Sequence, residues 1–103
     1  MQQRINGEDK HILKGNESDE ELFGRYQKDH SIATRNAIVN KYLYLAQIIA
    51  KKFVNRGIDY EDIFQVASIA LIKAVERYNP DKGIKFVSFA TPTIIGEIKR
   101  FFR

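Results

Sequence analysis

Apolar residues recur at helical spacing along most of the chain. Ile38, Tyr42, Leu45, Ile49 and Phe53 follow one another at steps of four, three, four and four, and Val39, Leu43, Ala46 and Ala50 widen that stripe. The spacing predicts a long helix with one broad buried face. Ser31 suits its N-cap and Gly57 its end. A second stripe of Ile63, Ala67, Ala70, Ala74 and Tyr78 predicts another helix. Asp59 can cap it, and Glu61 and Asp62 suit its positive first turn. Its small residues let a neighbouring helix approach closely. The run Asn79-Pro80-Asp81-Lys82-Gly83 then signals a turn. Beyond it, Ile94, Ile98 and Phe101 predict a last helix beginning between Phe86 and Pro92, with Thr91 as N-cap and Pro92 at its first position. Phe101 is expected in the core because it completes that stripe.

Ahead of these three, Ser18 and Glu21 form a capping box for a short helix over about Asp19 to Lys28 that buries Leu22, Phe23 and Tyr26. No stretch alternates with the period of a strand. The pattern therefore predicts an all-α fold: a compact bundle of three main helices with a short leading helix. Residues 1–17 are polar, contain Gly7 and Gly15 and show no periodicity, and read as a mobile N-terminal tail. Residues 18–103 form the one domain that a chain of 103 residues allows.

Composition narrows the function classes. Hydrophobic residues make up 44% of the chain, enough for a core. A chain this short buries only ~60–70% of its unfolded surface, so its stability is modest. There is no cysteine, which removes disulfides, thiolate metal sites and thiol nucleophiles and fits a reducing cytoplasm. No apolar run approaches the roughly 18 residues of a membrane span, and no signal peptide precedes the domain. The net charge is +4, unevenly spread. Glu8, Asp9, Glu17, Asp19, Glu20 and Glu21 crowd the front, whereas Lys82, Lys85, Lys99, Arg100 and Arg103 outweigh Glu97 at the back. A basic segment of this kind points to an anionic partner such as nucleic acid.

Enzymatic signals are thin. His11 and His30 lack helix partners at metal-ligand spacing. Asp59, Glu61 and Asp62 lack the ordered spacing of a calcium loop, and helix capping explains them. There is no phosphate loop and no nucleophile elbow. No cofactor, no metal and no catalytic residue are expected.

Two constellations remain. On the third helix Gln65, Ser68, Ile69 and Ile72 lie at steps near 3.6, with Asp62 one turn before. Such a mixed stripe suits docking onto another protein's helix, or belongs to an ordinary half-exposed helix. The second constellation is the segment from Gly83 to Arg103. Lys85, Lys99, Arg100 and Arg103 can neutralise phosphates. Phe86 and Phe89 stand at the mouth of the last helix, where rings can stack on unpaired bases at ~1–3 kcal/mol each. Opening a base-pair step costs a similar few kcal/mol. Pattern alone leaves open whether these two rings are core or surface.

At these residues the chain resembles a known family. Asp62-Ile-Phe-Gln-Val-Ala-Ser-Ile-Ala-Leu-Ile-Lys-Ala-Val-Glu-Arg-Tyr-Asn-Pro-Asp-Lys-Gly, followed by Lys85-Phe-Val-Ser-Phe-Ala, closely resembles domain 2 of the bacterial sigma-70 family. The resemblance runs from about Ala33 to Arg103. It covers the family's regions 2.1 to 2.3 and the start of 2.4. The later Pro92-Thr-Ile-Ile-Gly-Glu-Ile-Lys-Arg is similar to its stress-response and sporulation branch.

The resemblance implies a non-enzymatic helical domain with two tasks in transcription initiation. It docks on a coiled coil of the largest subunit of RNA polymerase core, and it captures the non-template strand of the promoter minus-ten element as the strands separate. The implied docking residues are Asp62, Gln65, Val66, Ser68 and Ile72. The implied DNA residues are Lys85, Phe86, Ser88 and Phe89, with Lys99, Arg100 and Arg103 as phosphate contacts. An anti-sigma factor that covers the docking face is a further implied partner.

Several positions depart from the usual pattern. Phe89 stands where the family has a tyrosine, keeping the stacking face without the hydroxyl. Ala67 and Ala70 replace glycines, Val66 a glutamate and Val87 a serine, and Pro92 and Thr93 replace an aromatic pair. The chain ends where reading of the duplex would continue, which implies one domain of a longer factor or a truncated chain. The alternatives are a stand-alone helix-turn-helix regulator and a protein-interaction module. The first is disfavoured because the last helix offers mostly Ile, Gly and Phe to a major groove.

Overall fold

Each helix starts and stops where local chemistry requires. The computed structural model describes residues 18–102; the tail expected over residues 1–17, and Arg103, lie outside them. Helix α1 spans Asp19–Asp29 behind a complete capping box, in which Ser18 Oγ accepts from the Glu21 N–H and the Glu21 carboxylate accepts from the Ser18 N–H. Helix α2 spans Ile32–Lys51, with the Ser31 hydroxyl accepting from the Thr34 N–H. A 3-10 turn at Val54–Arg56 follows, closed by Gly57 at φ 83°, in the left-handed region that a residue without Cβ occupies freely. The α-helix thus stops at Lys51, earlier than Gly57 implied. Helix α3 spans Tyr60–Arg77; Asp59 is its N-cap by backbone geometry, but its side chain makes no capping bond.

The last helix, α4, spans Phe86–Phe101 with Lys85 as N-cap. The start lies at the early end of the expected range from Phe86 to Pro92, and the N-cap is Lys85 rather than Thr91. Pro92 lies inside the helix, where its missing N–H leaves the Ser88 carbonyl without its usual donor. The flanking hydroxyls turn back onto the same rungs: Thr91 donates to the Val87 carbonyl at 2.8 Å and Thr93 to the Phe89 carbonyl at 3.2 Å. Thr91 therefore bonds backward along a continuing helix and caps nothing.

The described residues are all-α, as the periodicity implied, with α1 as the short leading element. Helix α2 packs on α3 and α3 on α4. Arg35 near the start of α2 pairs with Glu76 near the end of α3 at 3.2 Å, and Lys73 of α3 meets Glu97 of α4 at 4.0 Å. Ile38, Ala46 and Ala50 bury against Ile63, Ala67, Leu71 and Ala74, and Ile94 and Ile98 close the core from α4. The alanines let these axes approach while the branched residues fill the space between them. None of the described helices is long and apolar enough to cross a membrane.

Candidate functional site

The two constellations separate onto two parts of the surface. The first is built where α3 hands over to α4. Tyr78 is the C-cap of α3, a 3-10 turn at Pro80–Lys82 follows, and Gly83 closes it at φ 77°. Asn79 stabilises this turn by accepting from the Asp81 N–H at 2.9 Å. Lys85 and Ser88 are exposed at the start of α4, and Phe89 is half-buried beside them. These three sit within one turn of helix and form a continuous edge.

Phe86 does not join them. Its ring is only 3% exposed and lies 5.2 Å from Phe23, 4.8 Å from Tyr42 and 5.3 Å from Tyr78. This corrects the expectation that Phe86 contacts bases. It is the first apolar residue of the α4 stripe Phe86, Ala90, Ile94 and Ile98, and α1 lays Phe23 over it. Phe86 is thus enclosed by rings from α1, from α2 and from the end of α3.

Phe101 moves the opposite way. Expected in the core, it is 45% exposed. Phe102 packs inward instead, stacked on Phe53 at 6.0 Å and 30°. The stripe reaches Phe101 in register, but there the residue borders an open groove beside Val66 and Ile69 of α3. Lys99 and Arg100 are exposed in the same last turn, roughly 16 Å from Ser88 by helical rise. Arg100 donates to Glu97 at 2.6 Å. Arg103 lies outside the described residues.

The second surface is the outward face of α3. Asp62 and Gln65 are exposed, and Val66 and Ile72 are half-buried along the same line. Ile69 stands at the centre of this face and is 52% exposed. Val66 and Ile69 line an open groove of about 320 Å³ together with Glu97, Arg100 and Phe101 of α4. Ser68 turns away from this face: its Oγ is buried and finds no hydrogen-bond partner among the described residues. Spacing and the family motif place Ser68 among the docking residues; its hydroxyl oxygen is not at the surface, although the residue as a whole is half-buried like Val66 and Ile72. Spacing also places Ile69 on this face, although the family motif does not include it; Phe101 is the surface residue that was missed, and nothing in the pattern marked it.

The geometry offers a ring edge flanked by a cation and a hydroxyl, and an apolar groove with charged rims. Neither gathers the nucleophile, acid and base of a reactive centre.

Comparison with known proteins agrees in kind. The family model described as Sigma-70 region 2 matches residues 38–103. The RNA polymerase sigma-F factor of Kitasatospora aureofaciens is 44% identical over 88 residues, which cover 80% of this chain and 29% of that one. The RNA polymerase sigma-G factor of Bacillus subtilis is 37% identical over 92 residues, covering 89% and 35%. The RNA polymerase sigma-B factor of the same species is 42% identical over 82 residues, covering 80% and 31%. The chain spans about a third of the length of these curated relatives.

Proposed function

This chain belongs to the sigma-70 family, carrying region 2 of its sporulation and stress branch, and from that membership we propose that it acts in an alternative RNA polymerase sigma factor by docking on the polymerase and capturing an unpaired promoter strand. The observation that carries this reading is Phe89: a half-exposed ring at the start of α4, with Lys85 and Ser88 exposed beside it.

An unpaired base stacks on the Phe89 ring, the Lys85 ammonium neutralises an adjacent phosphate, and the Ser88 hydroxyl is a donor or acceptor for a base edge. Lys99 and Arg100 meet phosphates several nucleotides away. Strand opening is then driven by tighter binding of the single strand than of the duplex, with no nucleotide hydrolysis by this chain. With Phe86 in the core, one ring rather than two faces the strand. At ~1–3 kcal/mol per stack this is of the order of one opened step. The domain therefore relies on polymerase to hold it at the promoter.

The docking surface in this reading is the α3 face of Asp62, Gln65, Val66 and Ile72, extended by Ile69 and the groove it shares with Phe101. A helix of the coiled coil seats an apolar side chain there, and an anti-sigma factor competes for the same face. The domain boundary at residue 18 belongs to this proposal; it is supported by the capping box of Ser18 and Glu21, which opens α1.

The test is a titration of labelled minus-ten-like single strand and of its duplex, with and without the polymerase coiled coil. Preference for the single strand, strengthened by the coiled coil and lost in Phe89→Ala, is the expected result. Duplex-favouring or equal binding sinks the proposal. Gln65→Ala and Ile69→Asn are expected to weaken coiled-coil binding without altering the helical content.

A further inference from the structure

We infer that Tyr78 is a positioning residue for the single-strand edge: its ring backs Phe89 and its hydroxyl ties down the Ile84 carbonyl, so that Lys85, Ser88 and Phe89 are presented as one preformed unit. The inference rests on the reading of that edge proposed above.

Tyr78 is where α3 stops. Its N–H still donates to the Ala74 carbonyl, but its ψ of 133° turns the chain out of the helix. The chain then passes through the turn at Pro80–Lys82 and returns to Lys85 at the start of α4. The Tyr78 hydroxyl donates across this turn to the carbonyl of Ile84, the residue before the cap. Lys85 itself makes no side-chain capping bond. The tie from Tyr78 thus fixes the entry of α4 where a capping side chain would otherwise do so.

The ring does the second half of the work. It lies 4.8 Å from Phe23 at 61° and 5.3 Å from Phe86 at 82°, both core residues. It also lies 5.6 Å from Phe89 at 48°. Tyr78 therefore joins the buried cluster to the half-exposed ring. Burial, and secondarily the negative charge of Asp19, hold its phenol above the ordinary tyrosine range. Ordering this edge before DNA arrives removes an entropic cost from capture.

Tyr78→Phe tests the idea, since it retains the three ring contacts and removes only the tie. The chain held on RNA polymerase core is titrated with the minus-ten-like single strand and with its duplex, in parallel with Phe89→Ala. The melting temperature and polymerase affinity of each variant are measured alongside. For Tyr78→Phe the single-strand affinity is expected to fall roughly three- to tenfold, the scale of one net hydrogen bond. Duplex and polymerase affinities stay unchanged. If Phe89→Ala loses single-strand binding while Tyr78→Phe does not, the positioning role is overturned and the reading of the edge stands. If neither variant loses it, both fall. An equal loss of single-strand, duplex and polymerase binding in Tyr78→Phe makes the tie general support of the fold and also overturns the role.

Discussion

The phenol of Tyr42 donates its hydrogen to the carboxylate of Asp19, fastening the short leading helix to the long second one. The Lys41 ammonium lies 2.6 Å from the other carboxylate oxygen. The Tyr42 ring also stands 4.8 Å from Phe86, so this bond reaches the aromatic cluster beneath Lys85, Ser88 and Phe89. Burial raises the Tyr42 phenol well above its ordinary value, and the hydrogen bond to Asp19 and its charge raise it further. A folded pKa raised in this way contributes stability that is fully present below about pH 10 and lost as the pH climbs toward the folded value. Tyr42→Phe is expected to lower stability by about 1 kcal/mol at pH 7. Its decline in alkali should be shallower than that of the parent, checked by urea midpoints between pH 7 and 11.

Phe86 and Phe89 are three residues apart and should answer substitution differently. Phe86→Ala empties a site enclosed by Phe23, Tyr42 and Tyr78, and should cost about 3–5 kcal/mol. Phe89→Ala removes a half-exposed ring and should cost under about 1.5 kcal/mol while abolishing single-strand preference. Chemical denaturation beside DNA titration separates the two. Equal destabilisation by both would place Phe89 in the core as well.

Ser68 carries a buried hydroxyl oxygen without a partner among the described residues. Replacing it with alanine removes an unsatisfied group and raises helix propensity. Ser68→Ala should therefore leave stability unchanged or increase it by up to about 1 kcal/mol. A melting temperature lowered by several degrees would show that the hydroxyl is satisfied in solution.

Asp29 joins α1 to α2. Its Oδ1 accepts from the Ser31 N–H at 2.9 Å and its Oδ2 from the Thr34 hydroxyl at 3.1 Å. The Ser31 backbone bond, first among the causes, holds the carboxyl below its ordinary value against the opposing effect of desolvation. A lowered folded pKa contributes stability present above the ordinary aspartate range and lost as the pH falls through the folded value. In thermal melts from pH 7 down to pH 2.5, Asp29→Asn should therefore lose less stability below about pH 4 than the parent does.

Much of the fold was legible without coordinates. The capping box of Ser18 and Glu21, the Ser31 cap and the stripes Ile38–Ile49 and Ile63–Ala74 all describe neighbours within one helix. Local hydrogen bonding and the 3.6-residue period suffice for these. The N-cap of α4 was misplaced at Thr91 because Pro92 suits a first turn by its ring geometry. A helix already running through it, with threonine hydroxyls on either side, accommodates it as well.

The sequence by itself determined that the chain is helical, where most helices begin, and which family its motifs resemble. It also placed Lys85, Ser88 and Phe89 on adjacent positions of one edge. Only the tertiary structure decided which apolar side chains reach solvent. Phe86 is covered because Phe23 of α1, Tyr42 of α2 and Tyr78 close around it, while Phe101 is bared at the open groove it shares with Val66 and Ile69 of α3. Periodicity tells which side chains share a face of one helix. Whether another helix covers that face depends on contacts between residues far apart in the chain, and no local pattern contains them.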